Sequence, residues 1–368
     1  MIERVIISGG GTGGHIFPAV AIADELKRRN PNIKILFVGA EGRMEMEKIP
    51  QAGYEILGLP IAGFQRKFSF SNLILPFKLV KSLSKARSII NNFRPQLVIG
   101  VGGYASGPTL KMASLLGYPT LIQEQNSFAG KTNKLLAKKA STICVAYEGM
   151  ETFFPQSKIV LTGNPVRKEM IQIKASRSEA LKYFNLDPNK KTILIIGGSL
   201  GAKSLNNAMF QDIEKWNDLK NQVQILWQCG KLYFKNLNEE FKTNNTSNIY
   251  LLEFIQKMDL AYLAADIVVS RAGALSVSEL CLLGKASILV PSPNVAEDHQ
   301  TKNAMALVKK DAAILLKDIE LNTNLFQCVH SLLFDSNAIF QLEKNSKMLA
   351  KENATESIVN ECEKIALK

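Results

Sequence analysis

Two glycine-rich turns, each lying between a β-branched run and an amphipathic helical pattern, constrain the fold of this chain more than any other feature. Residues 5–7 lead into GGGTGG at 9–14, and residues 193–196 lead into GGSLG at 197–201. A hydrophobic strand that ends in glycines and opens a helix is the repeating unit of a parallel α/β sheet. Because this unit occurs twice, half a chain apart, the sequence predicts an α/β fold with two doubly wound parallel-sheet domains facing across a cleft.

Length and turn signals predict where these domains divide. A single domain of 368 residues would be unusually large. The turn-forming sequence TGNP at 162–165 predicts a boundary that gives domains over 1–164 and 165–350. Residues 351–368 are predicted to form a helix that packs back on the first domain. Short apolar runs predict further strands at 35–38, 97–101, 120–122, 143–145, 225–228, 266–270 and 288–290.

The first glycine turn also has the spacing of a dinucleotide-binding fingerprint. Gly9, Gly11 and Gly14 fit G-x-G-x-x-G, whose glycines let backbone N–H groups approach phosphates at a helix N-terminus. This spacing keeps a nucleotide-dependent oxidoreductase as an alternative function. The fingerprint also requires an acid at the end of the second strand, and Gly39 ends that run without one. A noncatalytic protein that binds a nucleotide sugar or a lipid is a third alternative.

His15 directly follows the last glycine of the first turn and is one of three histidines in the chain. An imidazole in this position can act as a base or a donor toward a ligand phosphate or an attacking hydroxyl. The alternative is a histidine in the first helical turn that caps nearby backbone. Its place in a phosphate-type loop favours the functional interpretation.

Composition argues against several classes of protein. No run approaches the roughly 20 apolar residues of a membrane-spanning helix, and the first residues do not resemble a signal peptide, so we expect a cytosolic chain. The five cysteines form no Cys-x-x-Cys pair, which predicts free thiols rather than disulfides or a zinc site. The net charge of +12 would attract nucleic acid, but no aromatic stacking platform or recognition helix is present, so no nucleic-acid partner is predicted.

Six segments, in order along almost the whole chain, carry a more specific pattern than either turn alone. They are GGGTGGHIFP at 9–18, GGYASGP at 102–108, QEQN at 123–126, GNPVR at 163–167, GGSLGA at 197–202 and RAGALSVSE at 271–279. Together they resemble the peptidoglycan N-acetylglucosaminyltransferases of glycosyltransferase family 28.

The resemblance implies a GT-B fold, no cofactor and a reaction with inversion at the anomeric carbon. N-acetylglucosamine would move from UDP-N-acetylglucosamine to the 4-hydroxyl of the muramyl sugar in undecaprenyl-linked lipid I, forming lipid II for peptidoglycan synthesis. In this pattern the first domain, 1–164, holds the acceptor and faces the membrane, and the second, 165–350, holds the UDP-sugar.

The resemblance also implies residues for the donor. Glu279 would accept from the ribose hydroxyls, whereas the residues alone also allow a capping box in which Ser276 and Glu279 cap their own helix. Arg167, Ser199 and backbone amides at a helix N-terminus would stabilise the pyrophosphate. Ile255 would bind uracil through its backbone, and the side-chain amides of Gln300 and Asn303 would contact the sugar hydroxyls. The full donor set is Thr12, Gly13, Gly14, Asn126, Arg167, Ser199, Ile255, Ala274, Leu275, Ser276, Glu279, Gln300 and Asn303.

On the acceptor side, transfer needs a base within hydrogen-bond reach of the attacking hydroxyl. His15 and Glu124 are the two candidates, and the sequence leaves open which of them acts. Glu124 follows a predicted strand and stands alone among acids over a long interval. The acceptor set implied is Gly14, His15, Tyr104, Glu124 and Asn126. No Asp-x-Asp pair follows a strand, so no bound metal is predicted.

The charge of the chain is segregated. Residues 56–147 contain twelve Lys and Arg but only one acid, interleaved with apolar side chains. We expect this part to dock peripherally on the anionic cytoplasmic face of the bacterial plasma membrane. The residues predicted to do so are Phe68, Phe70, Leu73, Ile74, Leu75, Lys78, Lys81 and Lys85. The alternative is a core helix over 77–93 with a solvated basic face. We expect Leu79, Leu83, Ala86 and Ile90 to pack inward, which leaves the loop over 64–75 as the better membrane candidate.

Overall fold

Two compact units make up the chain. The computed structural model describes residues 2–61, 75–171, 173–198, 200–243 and 246–366. The first unit is Met1–Lys168 together with Lys351–Lys368, and the second is Glu169–Ala350. Each unit contains one sheet, and every strand pair in both sheets is parallel. The predicted α/β fold with two doubly wound parallel sheets is confirmed.

The first sheet has seven strands in the order β3-β2-β1-β4-β5-β6-β7. Its elements are β1 (Arg4–Gly9), α1 (Gly13–Arg29), β2 (Lys34–Ala40), α2 (Glu45–Gln51), β3 (Glu55–Leu59), α3 (Leu75–Phe93), β4 (Leu97–Gly102), α4 (Ser106–Leu115), β5 (Thr120–Glu124), α5 (Lys131–Leu136), β6 (Thr142–Val145) and β7 (Ile159–Leu161). The chain direction across the sheet reverses between β1 and β4, the position at which open α/β sheets bind ligands.

The second sheet has six strands in the order β10-β9-β8-β11-β12-β13 and reverses between β8 and β11. Its strands are β8 (Lys191–Ile196), β9 (Val223–Gln228), β10 (Ile249–Leu252), β11 (Ile267–Ser270), β12 (Ser287–Leu289) and β13 (Ile314–Leu315). The helices of this part of the chain are α6 (Lys168–Ile171), α7 (Arg177–Tyr183), α8 (Lys203–Gln211), α9 (Ile213–Asp218), α10 (Lys231–Thr243), α11 (Met258–Ala264), α12 (Ala274–Leu283), α13 (His299–Val308), α14 (Leu321–Leu333) and α15 (Ser336–Met348).

The chain ends with α16 (Ala354–Ala366), which belongs to the first unit and packs on α1. Its inner face buries Ile358, Val359 and Cys362 in the core beneath the first sheet. On the rim, the Arg29 guanidinium donates to Asn360 Oδ1 at 2.7 Å and to a Glu363 carboxylate oxygen at 2.9 Å. Helix α16 is therefore held on the first unit both by burial of its apolar side chains and by the polar contacts of Arg29.

Helix α3 departs from the inward-facing set predicted for it. Ala86 and Ile90 are buried as expected, but Leu83 is only half-buried and Leu79 is 45% exposed, so the prediction for Leu79 was wrong. The buried face of the helix begins at Ser82. Before Ser82, the apolar side chains of Phe77, Leu79 and Val80 are exposed at the surface.

The cysteines and the hydropathy of the helices agree with the sequence expectations. All five cysteines are free thiols, four of them buried and Cys328 half-buried. Burial raises the pKa of both Cys229 and Cys281 to about 11, so these thiols are uncharged at neutral pH. Among the described residues, no helix is both long and apolar enough to cross a bilayer.

Candidate active site

The first glycine turn is packed against a second glycine pair rather than open to a ligand on all sides. Gly103, at φ +88°, lies so close to Gly10 that a Cβ on Gly103 would come within 2.4 Å of the Gly10 carbonyl oxygen. The Gly10 N–H also donates to the Gly102 carbonyl at 3.3 Å. Glycine is required here because the backbones after β1 and β4 touch directly.

A buried carboxylate that the sequence analysis missed lies beneath this turn. Glu45 is 1% exposed, and its Oε2 accepts from the Gly11 N–H at 2.7 Å while Oε1 accepts from the Ala40 N–H at 3.0 Å. A dinucleotide phosphate would compete with this carboxylate for the same amide. The turn therefore does not support the oxidoreductase alternative. The only signal in the sequence is an acid at the start of α2, which alone predicts no more than a favourable helix terminus.

His15 is fixed between the two glycine loops. Its Nδ1 lies 2.8 Å from the Gly10 carbonyl oxygen. Because a carbonyl can only accept, Nδ1 carries the proton, and in the neutral ring the lone pair is on Nε2. Nε2 lies over Gly102, where an added Cβ would come within 2.8 Å of it. The geometry thus fixes both the tautomer and the position of the imidazole.

Glu124, the other candidate base, is 2% exposed and fully engaged by its own loop. Oε1 accepts from the Asn126 N–H at 3.1 Å and from its Nδ2 at 3.3 Å. Oε2 accepts from the Gly130 N–H at 3.0 Å and from Asn133 Nδ2 at 2.8 Å. Because it accepts from four donors, this buried carboxylate stabilises the conformation of the loop that joins β5 to α5.

The glutamines on either side of Glu124 take part in a second set of stabilising hydrogen bonds. Gln125 Nε2 donates to the Val101 carbonyl at 2.8 Å, and Gln123 Nε2 donates to Asn164 Oδ1 at 3.0 Å. Asn164 Nδ2 in turn donates to the Gln125 carbonyl at 2.9 Å. These buried amides join the ends of β4 and β5 to the segment that carries Arg167.

Arg167 lies next to the first glycine turn. Its guanidinium carbon is 5.9 Å from the centre of the Phe17 ring, and Phe17 packs over Gly13. Helix α1 begins there with Thr12 as an N-cap that makes no side-chain cap, and its first turn contains no acid. The positive end of the helix dipole and an adjacent cation favour an anion at such a terminus.

In the second unit, α12 begins at Ala274, with Gly273 as an N-cap that offers no side chain. Ser276 is therefore inside the helix, and the capping-box alternative for Ser276 and Glu279 was wrong. Glu279 is instead 4% exposed and accepts from the Tyr262 hydroxyl at 3.2 Å. The N–H groups of the first helical turn have no acceptor within their own helix, so this end attracts an anion.

Buried polar side chains hold the loop before α12. Arg271 is 9% exposed, lies 2.5 Å from the Asp318 carboxylate and donates to the Val290 carbonyl at 3.2 Å. Asn303 is fully buried, and its Nδ2 donates to the Ala272 carbonyl at 3.3 Å. Gln300 accepts from the Ser292 N–H at 2.9 Å. The structural role of Arg271 could not be found from the sequence.

The segment predicted to read uracil is joined to the second glycine turn by Gln228. Gln228 Oε1 accepts from the Ile255 N–H at 2.8 Å, and its Nε2 donates to the Gly198 carbonyl at 3.0 Å. Gly201, at φ +79°, lies against Cys229, where a Cβ would overlap the carbonyl oxygen. Ser199, in the same turn, lies outside the described residues.

The structure brings the predicted residues together as two sets, each at the carboxyl ends of one sheet. The first unit holds Thr12, Gly13, Gly14, His15, Tyr104, Glu124, Asn126 and Arg167, and the second holds Ile255, Ala274, Leu275, Ser276, Glu279, Gln300 and Asn303. Of the membrane residues, Phe68, Phe70, Leu73 and Ile74 lie outside the described residues, and only the backbone of Leu75 is described. Within the described ranges, no three His, Cys, Asp or Glu side chains are placed to hold a metal.

Comparison with known proteins covers both units. The family model described as the glycosyltransferase family 28 N-terminal domain matches residues 5–145, and that of the C-terminal domain matches residues 192–360. A Flavobacterium psychrophilum protein named UDP-N-acetylglucosamine–N-acetylmuramyl-(pentapeptide) pyrophosphoryl-undecaprenol N-acetylglucosamine transferase is 57% identical over 363 residues, 98% of this chain and 97% of its own. A Christiangramia forsetii protein of the same name is 54% identical over 98% of this chain and 97% of its own.

A solved structure agrees with these relatives. The crystal structure of Acinetobacter baumannii MurG matches with a TM-score of 0.80 and 30% identity over 98% of this chain and 99% of that one. This similarity to a glycosyltransferase structure confirms the predicted GT-B type of fold. With both domain models matched and relatives more than half identical along nearly the whole chain, the protein belongs to glycosyltransferase family 28.

Proposed function

We propose that this chain transfers N-acetylglucosamine from UDP-N-acetylglucosamine to the 4-hydroxyl of MurNAc in lipid I and so forms lipid II. The observation that carries the proposal is the relative named for this transfer, 57% identical along 98% of the chain. The placement of His15 supports it, because a neutral imidazole with its lone pair on Nε2 is the form that a base needs.

At the acceptor, we assign the base to His15 rather than Glu124. The acceptor oxygen attacks the anomeric carbon while its proton passes to His15 Nε2, and the bond from that carbon to the pyrophosphate breaks. UDP leaves with the electron pair, and attack on the opposite face inverts the carbon. The Gly10 carbonyl then accepts from the Nδ1–H of the imidazolium. Glu124, whose oxygens accept four bonds, positions Asn126, and Tyr104 is exposed enough to contact the acceptor.

At the donor, we assign the pyrophosphate to the N-terminal amides of α12. Developing negative charge is best stabilised by dipoles that are fixed before the reaction, and the ion pair of buried Arg271 with half-buried Asp318 fixes the loop before this helix. Glu279 is assigned to the ribose, Ile255 to uracil and Gln300 to the sugar. Asn303 acts through the Ala272 carbonyl to which it donates. Thr12, Gly13, Gly14, Asn126, Arg167 and Ser199 remain predicted contacts of the donor.

For a lipid-linked acceptor, we propose peripheral docking on the anionic cytoplasmic face of the plasma membrane. Three neighbouring helices, α3, α4 and α5, expose large apolar side chains: Phe77 is 78% exposed, Leu115 64% and Leu135 83%. Exposed lysines accompany them, namely Lys78, Lys81, Lys85, Lys111, Lys131, Lys138 and Lys139. Lys85 pairs with Glu41 at 2.9 Å, so it is expected to contribute less than Lys78 or Lys81.

The release of UDP from UDP-N-acetylglucosamine, with and without a soluble lipid I analogue, tests the function. We expect release to depend on the analogue and a disaccharide product to accumulate in equal amount. H15A should lower kcat by about 100-fold or more, the usual contribution of a general base. Binding of the donor without turnover would instead favour a noncatalytic protein, and full activity of H15A together with inactive E124Q would transfer the base to Glu124.

A further inference from the structure

We propose that Glu45 is a positioning residue that orients and polarises His15 through the single peptide group joining Gly10 and Gly11. The inference rests on the proposed role of His15 as the base. Glu45 is buried beneath the glycine turn and is 34 residues from Gly11 in the chain. The backbone of that turn connects it to the imidazole.

The two hydrogen bonds of this relay belong to the same peptide. The N–H of Gly11 donates to Glu45 Oε2 at 2.7 Å, and the C=O of Gly10 accepts from His15 Nδ1 at 2.8 Å. In a trans peptide the N–H and the C=O point in opposite directions along one dipole. The carboxylate therefore lies at the positive end of that dipole and the imidazole at its negative end. Hydrogen bonds joined in this way polarise one another.

The carboxylate is held with little freedom to move. Glu45 is 1% exposed, and its second oxygen accepts from the Ala40 N–H at the end of β2. A Cβ on Gly10 would come within 2.2 Å of the carboxyl carbon, and one on Gly39 within 2.6 Å of Cγ. Glycines on both sides thus make room for this one side chain. A negative charge enclosed in this way acts on the peptide with little screening by water.

The arrangement resembles the logic of a Ser-His-Asp triad, with one peptide inserted between the carboxylate and the imidazole. In a triad the carboxylate keeps the proton on Nδ1, aims Nε2 at the reacting hydroxyl and stabilises the imidazolium that forms. Here the Gly10 carbonyl makes that contact, and Glu45 fixes the carbonyl from the other end of the peptide. Without an acceptor for the Gly11 N–H, the peptide would no longer be held in the orientation that selects the Nδ1–H tautomer.

The test compares E45Q with E47Q in ¹⁵N-histidine-labelled protein. Glu47 lies in the same helix, but its side chain is 68% exposed and bonds only to Lys48 and Gln51 among the described contacts, so it is a matched control. With three histidines in the chain, H15A assigns the His15 signals. In ligand-free wild type and E47Q at a pH where the ring is neutral, we expect His15 as the Nδ1–H tautomer. E45Q removes the charge and leaves one side-chain oxygen for the two N–H groups of Gly11 and Ala40, so we expect a substantial Nε2–H fraction.

Kinetics give the second readout. E45Q should lower kcat by about 10- to 100-fold, part of what a general base contributes, and leave both KM values within about 2-fold. E45D keeps the charge but withdraws it by one methylene, so we expect an intermediate tautomer ratio, and it serves as the test if E45Q does not fold.

An unchanged His15 tautomer in E45Q, or kcat within about 3-fold of wild type, overturns the relay. A fall in kcat with an unchanged tautomer also overturns it, because Glu45 would then only shape the loop. If H15A retains activity, the proposed base is wrong, yet the tautomer shift in ligand-free E45Q would still establish the relay. The two failures are therefore distinguishable.

Discussion

At the scale of single residues, the site depends on side chains that their hydrogen bonds restrict to a single orientation. His15 has its proton placed by the Gly10 carbonyl, and Glu279 has one oxygen occupied by the Tyr262 hydroxyl. Forming such hydrogen bonds costs the free enzyme little free energy. They fix the orientation of these side chains before the substrate binds. Their loss should appear in catalysis or affinity more than in stability.

Gly102 offers a direct test of how His15 is placed. In G102A the new methyl would meet the imidazole and the residue would keep φ +99°, whereas Gly117, at φ +82°, has open space around its added Cβ. Both substitutions should cost about 1 to 2 kcal/mol of backbone strain, measured by urea unfolding. Only G102A should also lower kcat, by about 10-fold or more. Equal losses of kcat in G102A and G117A would contradict the placement of Nε2 over Gly102.

Tyr262 tests the proposed ribose contact. Y262F removes the hydroxyl that donates to Glu279, so the carboxylate loses one constraint and should bind the ribose less well. We expect KM for UDP-N-acetylglucosamine to rise about 3- to 10-fold with kcat unchanged, the size of one typical net hydrogen bond. Y250F is the control, because that hydroxyl donates to the Asn185 carbonyl elsewhere in the same unit. A parallel change in both variants would remove Glu279 from the ribose site.

At the scale of elements, the burial of a strand determines whether it could be predicted from the sequence. Strands β1, β4, β5, β8 and β11 read as apolar runs because helices cover both faces, and all five were predicted. Strands β3, β10 and β13 were missed because they are short and most of their residues are partly exposed. The loops that follow the buried strands were predictable for the same reason, whereas Glu45 was not. Its role exists only after folding has brought α2 beneath a turn 34 residues away.

The α1–α16 pair makes a prediction about pH. Hydrogen bonds and charge from Arg28, and then Arg29, hold the pKa of the Glu25 carboxyl below its ordinary value of 4.5. A carboxyl whose pKa is lower in the folded state stabilises that state above its unfolded pKa, and the stabilisation is lost as pH falls through the folded value.

R29A should therefore reduce hydrogen-exchange protection of α16 amides at neutral pH, since it removes bonds to Glu25, Asn360 and Glu363. The difference from wild type should shrink as pH falls through the lowered pKa of Glu25, because a protonated Glu25 no longer forms an ion pair with Arg29. R43A, at an exposed site in the same unit, should not change protection of α16. A constant difference at all pH values would show that packing, and not charge, holds the helix.

At the scale of the whole molecule, the net positive charge is concentrated in one part of the chain because acids are scarce there. Residues 56–147 carry twelve of the 45 basic residues but only one of the 33 acids, the buried Glu124. Among the residues of this region that the structure describes, the charge presented to solvent is therefore almost entirely positive. The exposed apolar side chains of α3, α4 and α5 lie among these lysines, a combination typical of surfaces that bind anionic lipid.

Charge reversal tests this surface. K78E/K81E should weaken binding to vesicles that contain phosphatidylglycerol, because each lysine near an anionic surface contributes about 1 kcal/mol and reversal turns that attraction into repulsion. K182E/K220E makes the same change in net charge at exposed sites of the second unit and should have little effect. Sedimentation with the vesicles measures both. Unchanged binding of K78E/K81E would contradict docking through α3, while UDP release with a soluble acceptor should be equal in the two variants.

The first unit is discontinuous in sequence, since α16 completes it only after the entire second unit has been made. During synthesis, the apolar surface beneath the first sheet remains exposed while some 180 residues of the second unit leave the ribosome and fold. Completion of the first unit is thus timed by the emergence of α16 from the exit tunnel, and a nonsense codon before α16 would damage the unit that was translated first.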